Sequence, residues 1–199
     1  MRKIVTNIHV RAISLRSTAG VLSIGGVSVP CRFGHGGRGH LKREGDGATP
    51  IGIWQMRKLY WRADRGFAPR TRLSCAVLKR DMGWCDDVRD RNYNRPVRLP
   101  YAASHEAMAR HDHLYDIVVI LSHNERPRVR GLGSAVFFHL TGPAVQPTAG
   151  CIAVSETNMR KLLAVCGRQT RIVVWSSSGP PAGGGRRSPS PRGHGSRHN

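Results

Sequence analysis

The sequence predicts a mainly β domain with one or two short helices, and three features carry that expectation. Glycine (23) and proline (12) are abundant while aromatic residues make up only 6% of the chain, a balance that suits short strands and many turns. Apolar residues recur in short runs rich in Val and Ile, bounded by Gly, Pro, Asn and Asp. Helical spacing of apolar residues is clear in one segment only, late in the chain. With 199 residues, 39% of them apolar, the chain can bury the core of one domain.

Residues 4–29 alternate apolar and polar positions in the runs IHVRAISL, GVLSI and GVSVP, with Gly20, Gly25 and Gly26 among them, which reads as a meander of two or three strands. Residues 34–52 (GHGGRGHLKREGDGATPIG) mix glycine with charge and contain Thr49-Pro50, so a long surface loop ending at Ile51 is expected. Residues 81–100 (DMGWCDDVRDRNYNRPVRLP) crowd Asp, Asn and Arg around Trp84 and Tyr93 and read as a binding loop rather than core. DIVVILSH (116–123) and AVFFHL (135–140) are apolar and β-branched or aromatic, with a charged, Pro-containing turn between them, and are predicted to be neighbouring core strands. Ser155 and Glu156 open a helix whose Met159, Leu162, Leu163 and Cys166 fall at i, i+3, i+4 and i+7, with Gly167 placed to stop it. RIVVW (171–175) closes a domain predicted to span residues 1–175. From Ser176 to Asn199 the chain lacks the apolar residues that would offset the entropy of ordering it, and reads as a disordered basic tail.

Thirty-two Lys and Arg against twelve Asp and Glu give +20, a field that attracts polyanions: nucleic acid, acidic lipid or anionic cell-wall polymer. Arg186, Arg187, Arg192 and Arg197 lie in the tail, so most of the excess belongs to the domain itself. Five cysteines (31, 75, 85, 151, 166) are irregularly spaced, with no CxxC pair to suggest a zinc ribbon or redox dithiol. Arg11, Arg16 and several glycines break any apolar run of signal-peptide length in the first thirty residues. No stretch approaches the roughly twenty apolar residues that span a bilayer, and a soluble protein is expected.

The segment F138-H139-L140-T141…P147-T148-A149-G150-C151-I152 holds the chemistry. It sets a histidine at the end of a buried strand, twelve residues before a cysteine that follows a Thr-Ala-Gly turn. A free thiol with a pKa of about 8.5 is only a few per cent thiolate at neutral pH, so a nucleophilic Cys151 needs a base such as His139 beside it. Gly150 removes bulk just before the thiol, and backbone N–H groups of the turn are suited to an oxyanion. Taken singly, a cysteine between Gly and Ile is more often a small buried hydrophobe, and a strand-end histidine more often a structural residue. Cys31, Cys75, Cys85 and Cys166 are read as structural.

From Ser134 to Val174 the order strand, His, variable loop, [Ser/Thr]-x-Gly-Cys, capped helix, final strand resembles the YkuD-type L,D-transpeptidase catalytic domain, and EGDGATPIGIWQM (44–56) looks like that family's Thr-Pro-x-Gly stretch leading into a strand. The KREGDGATPIG, GWCDD, NYNRPV and SHN blocks look like a bacterial subgroup of it, with TAGC in place of SHGC. The resemblance implies a β-sandwich-like domain in which Cys151 is acylated, His139 is the base, and Thr148 and Gly150 shape the turn. It implies no metal or organic cofactor. The thiolate would attack the carbonyl joining the third residue of a peptidoglycan tetrapeptide stem, a diamino acid, to its terminal D-alanine. D-alanine leaves, and an amine resolves the thioester into a cross-link, or water resolves it in a carboxypeptidase. Carbapenem-type β-lactams would acylate the same cysteine.

Two positions depart from the family pattern: its histidine before Gly-Cys is Ala149 here, and its arginine two residues after the cysteine is Ala153. His123 of SHN is the candidate to fill the space left at Ala149. Arg95, with Asn92, Tyr93 and Asn94, is the candidate to replace the arginine in gripping a carboxylate. A periplasmic or cell-envelope location follows from the resemblance, although without a clear export signal the cytoplasm stays open. The charge leaves a nucleic-acid-binding protein as one rival, with no recognisable motif and few aromatics for stacking. A metal site drawn from His111, His113, His123, His139 and Cys151 is another, with no second paired motif to complete four ligands. A catalytically dead wall-binding domain is the third.

Overall fold

The computed structural model describes residues 5–176, and the predicted basic tail lies outside them apart from its first residue. The chain opens with β1 (Asn7–Arg11), β2 (Ala19–Ile24) and β3 (Val27–Arg32), the meander the alternating pattern predicts. Gly25 and Gly26, both at positive φ (53° and 84°), make the hairpin turn between β2 and β3. Two short pieces follow, β4 (Arg38–Gly39) and β5 (Thr49–Pro50), then the long β6 (Gly52–Trp61) and β7 (Cys75–Val77). A separate hairpin and its neighbour are β8 (Met82–Cys85), β9 (Arg95–Arg98) and β10 (His105–Ala107). The chain ends with β11 (Ile117–Leu121), β12 (Phe137–Leu140), β13 (Ile152–Val154), α1 (Glu156–Leu163) and β14 (Arg171–Val174).

The fold is mainly β. Its nine-stranded sheet runs β11-β12-β13-β3-β2-β1-β14-β6-β7, and β11 also pairs with β6, so the sheet closes on itself. Inside that closure lies the main core, which includes Ile8, Leu22, Phe33, Leu59, Phe138 and Ile172. Helix α1 adds Met159, Leu162 and Leu163 to the same core. Ser155 caps its N-terminus by accepting a hydrogen bond from the Asn158 N–H. The helix ends at Leu163 with Ala164 still in right-handed helical geometry, so Gly167 is not its stop; the Gly167 N–H instead donates to the Thr170 hydroxyl at 2.9 Å.

The apolar runs at β11 and β12 are unbroken because both their faces are covered. Ile117, Val119, Leu121, Phe138 and Leu140 face the main core, while Val118, Ile120 and Phe137 face a second one. The three-stranded sheet β10-β8-β9 lies over that second face and contributes Trp84 to it. This corrects the expectation of a binding loop at residues 81–100: the segment is a hairpin whose Trp84, Cys85, Tyr93 and Asn94 are buried.

The expectation of a surface loop at 34–52 is corrected as well. Arg38, Lys42 and Thr49 are buried, and β4 pairs with β5 in parallel, so Thr49-Pro50 is a strand where the proline alone argued against one. Arg38 donates to the backbone carbonyls of Ala12, Ser14 and Trp175, tying the segment to the chain ends of the domain.

Candidate active site

Strand β13 lies parallel to β12 in the register Phe138↔Ile152, His139↔Ala153. Side chains alternate along each strand, so His139 shares the outer face with Phe137, and Cys151, one residue before Ile152, comes to the same face two positions away. The Phe137 N–H donates to the Cys151 sulfur at 3.2 Å, and the thiol donates to the Ala135 carbonyl at 3.2 Å. The His139 Nδ1–H donates to the Leu140 carbonyl at 2.8 Å. A carbonyl can only accept, so this bond fixes the tautomer and leaves Nε2 with a free lone pair.

Both residues line one cavity of about 720 Å³ between the second core and the loop at 141–150. Cys151 is only 7% exposed, and burial pushes its thiol up to about 12, reinforced by the Glu106 carboxylate and opposed by the Phe137 N–H, Lys42 and Arg110. Burial pushes the imidazole of His139 down to about 4. At neutral pH the resting pair is therefore thiol and neutral imidazole.

The turn before the thiol is held on three sides. Thr148 donates its hydroxyl to the Cys151 carbonyl at 2.7 Å and accepts from the Gly150 N–H at 3.2 Å. Thr49, fully buried, donates to the same carbonyl at 3.2 Å and accepts from the Gly34 N–H at 2.9 Å. Gly150 adopts φ 134°, and a Cβ there would stand 3.0 Å from the Ala48 carbonyl oxygen and 3.3 Å from the Lys42 ammonium.

A polar network walls the cavity beside His139. The ring of Tyr115 meets the imidazole edge-on at 5.1 Å, and its hydroxyl donates to Glu106 at 2.6 Å. Glu106 also accepts from Arg110 at 3.1 Å, and burial raises its carboxyl above the usual range.

Arg95, Asn92 and His123, also singled out in the sequence, are not brought to this cavity. Arg95 is exposed at the start of β9, and Asn92 donates to the Tyr101 hydroxyl at 2.8 Å; neither lines the cavity. His123 donates Nε2–H to the Leu132 carbonyl at 2.9 Å and stacks edge-on against Trp54 at 4.9 Å. Ala149 is exposed, so it leaves no buried vacancy for His123 to fill; the cation behind the turn is Lys42. The guanidinium that lines the cavity is that of Arg110, where the sequence pointed to Arg95. Ala153, at the position of the family's arginine, is buried on the cavity wall opposite His139 in the strand pairing.

Among the described residues, no group of three or more His, Cys, Asp or Glu side chains gathers as a metal site would require. Nor is any helix among them long and apolar enough to cross a membrane. All five cysteines are free; Cys75 is exposed and the rest are buried.

Comparison with curated proteins and with solved structures gives no significant match. Comparison with protein-family models matches residues 18–174 to the YkuD family, the L,D-transpeptidase catalytic domain. That span runs from the start of β2 to the end of β14 and takes in the cavity, the His139 strand and the Cys151 turn, so the chain belongs to the YkuD L,D-transpeptidase catalytic-domain family.

Proposed function

We propose that this protein is a cysteine acyltransferase acting on peptidoglycan tetrapeptide stems, with Cys151 as nucleophile and His139 as its base. The observation that carries the reading is the parallel pairing of β12 with β13, which puts thiol and imidazole on one face of one cavity with Nδ1 of the imidazole already committed to a carbonyl. Nε2 takes the thiol proton as sulfur attacks the carbonyl that joins the diamino acid to D-alanine. The tetrahedral oxyanion is met by backbone N–H groups of the turn, and the imidazolium returns its proton to the departing amino group of D-alanine. The thioester then passes its acyl group to an amine of a second stem, and the thiol is restored.

Burial favours the uncharged forms of both partners, so proton transfer accompanies attack instead of preceding it. A depressed imidazole pKa also keeps the base neutral in mildly acidic solution, and the acid limb of kcat/KM is expected near pH 4, well below the ordinary histidine range. A diamino-acid stem is a substrate of the cell envelope, and the +20 charge attracts the anionic polymers found there.

The test is incubation with a purified disaccharide-tetrapeptide. Wild type is expected to release D-alanine and to give cross-linked dimers, and Cys151→Ala neither. Tripeptide without dimers would make the enzyme a carboxypeptidase. D-alanine release that survives in Cys151→Ala, or no carbapenem adduct at Cys151 by mass, would overturn the assignment.

A further inference from the structure

Lys42 is a buried lysine that the mechanism above leaves unused. Its side chain is 5% exposed and lines the same cavity as Cys151. Two glycines make room for it. A Cβ on Gly133 would meet Lys42 Cγ at 2.6 Å, and a Cβ on Gly150 would stand 3.3 Å from its ammonium. The side chain is thus threaded between the turn that precedes β12 and the turn that precedes the thiol.

The ammonium is fixed at its end. It donates to the Asp46 carboxylate in an ion pair and to the Arg43 carbonyl at 3.2 Å. Asp46 in turn accepts from the backbone N–H groups of Arg43 at 2.7 Å and Ala48 at 2.9 Å, so its carboxylate is spent within the loop that carries the lysine. These donors hold Asp46 ionised below the usual carboxylate range against the cost of its burial. An unpaired ammonium would be costly in this place, and the ion pair with Asp46 offsets that cost.

We propose that the ammonium of Lys42, anchored by Asp46 behind the Gly150 turn, is the fixed positive charge that favours ionisation of the Cys151 thiol. This rests on reading Cys151 as the nucleophile. The charged and titratable groups facing the thiol are Lys42 from the 34–52 segment, Glu106 from β10, Arg110 and Tyr115 from the stretch before β11, and His139 from β12, with His35, Glu44, Asp86, His105 and Asp112 also on the cavity lining. Around Lys42 itself stand Asp46, Glu44 and His123. Of the cations near the sulfur, Arg110 is paired with Glu106 and Asp112, both carboxylates of the cavity wall. Lys42 is the one whose carboxylate partner does not line the cavity.

The role predicts shifts of opposite sign from the two halves of one ion pair. Lys42→Met leaves Asp46 as net negative charge and disfavours the thiolate. Asp46→Asn leaves the ammonium unopposed and favours it, at the cost of one loop hydrogen bond, because the amide NH2 cannot accept from the Arg43 N–H as the second carboxylate oxygen does. The measurement is the rate of Cys151 alkylation by iodoacetamide against pH, followed by peptide mass mapping. Cys75, exposed and outside the cavity, serves as internal control.

At a fixed pH below the thiol pKa, Lys42→Met is expected to slow alkylation about tenfold and Asp46→Asn to speed it several-fold, with Lys42→Arg close to wild type. Shifts in the same direction from both charge-removing variants, or no shift from either, would overturn the proposal by reducing the pair to packing. Should Lys42→Met fail to fold, Asp46→Asn decides alone: an unchanged or slower rate refutes the role. Because alkylation reads the thiol without substrate, a failure here differs from a failure of the transpeptidase reading, which would appear as absent D-alanine release with the charge effects intact.

Discussion

Residues 34–52 and 81–100 are alike in composition, small or turn-forming residues among many charges, and they relate to the cavity in opposite ways. The first segment lies against the nucleophile turn and gives the cavity His35, Lys42 and Glu44. The second folds into β8 and β9, buries Trp84, Tyr93 and Asn94, and gives the cavity only Asp86. Charge density does not separate them. The difference is close backbone approach: a Cβ on Gly34 would fall 1.8 Å from the Gly47 carbonyl oxygen and 2.9 Å from the Gly150 Cα, so three bare backbones meet where the first segment touches the thiol's turn. The second segment has no such junction, and it acts on the site through a side chain.

That side chain is Asn94, and its removal is expected to have the largest effect. Its Oδ1 accepts from the Trp84 indole at 3.0 Å and from the Ala135 N–H at 3.2 Å, and its Nδ2 donates to the carbonyls of His123 and Asn124. Ala135 is held at φ 50°, and its carbonyl accepts the hydrogen bond of the Cys151 thiol. Asn94→Ala orphans two donors around a strained residue and replaces asparagine at φ 55°; a loss of about 3 kcal/mol in a urea melt is expected, with D-alanine release falling alongside. A stable variant with full activity would show that Asn94 does not support the site.

Gly34→Ala comes next. The new methyl group cannot coexist with the Gly47 carbonyl, so the junction must open at a cost of about 2 kcal/mol, and the Gly34 N–H bond to Thr49 stretches with it. Since Thr49 also holds the Cys151 carbonyl, kcat is expected to fall by more than the stability loss alone explains. Gly39→Ala in the same segment is the control: nothing lies within 4 Å of its Cβ position, and it should be silent. Equal effects from the two glycine variants would break the comparison.

How much of this was legible in the sequence follows from which interactions are local. The β11 and β12 runs and the Ser155-capped helix are readable because periodicity and capping act within a few residues. The long β6 is hidden from its pattern by Arg57 and Lys58, and only the Thr-Pro-x-Gly resemblance pointed to it. Cys151 and His139 were legible as residue types in a motif. Their sharing of one face was not, because it depends on the loop at 141–150 returning the chain to a parallel register. Lys42 and Arg110 were missed for a similar reason. The place of one is set by the glycines at 133 and 150, and that of the other by partners at 106 and 112, none of which spacing alone ties to the thiol.

The smallest expected effect belongs to Arg95, the neighbour of Asn94. Its side chain is exposed, and β9 uses its backbone, paired with Cys85, instead. Burial depresses the Arg128 guanidinium and the nearby Arg95 charge adds to it, so removing Arg95 relieves a repulsion and breaks no ion pair among the described residues. Arg95→Ala is therefore expected to leave stability within about 0.5 kcal/mol and D-alanine release within about twofold of wild type. A tenfold rise in KM with kcat unchanged would mean that substrate reaches out of the cavity to this guanidinium. The segment at 81–100 would then be a binding surface as well as a prop, and the contrast with 34–52 would hold only for the thiol's own surroundings.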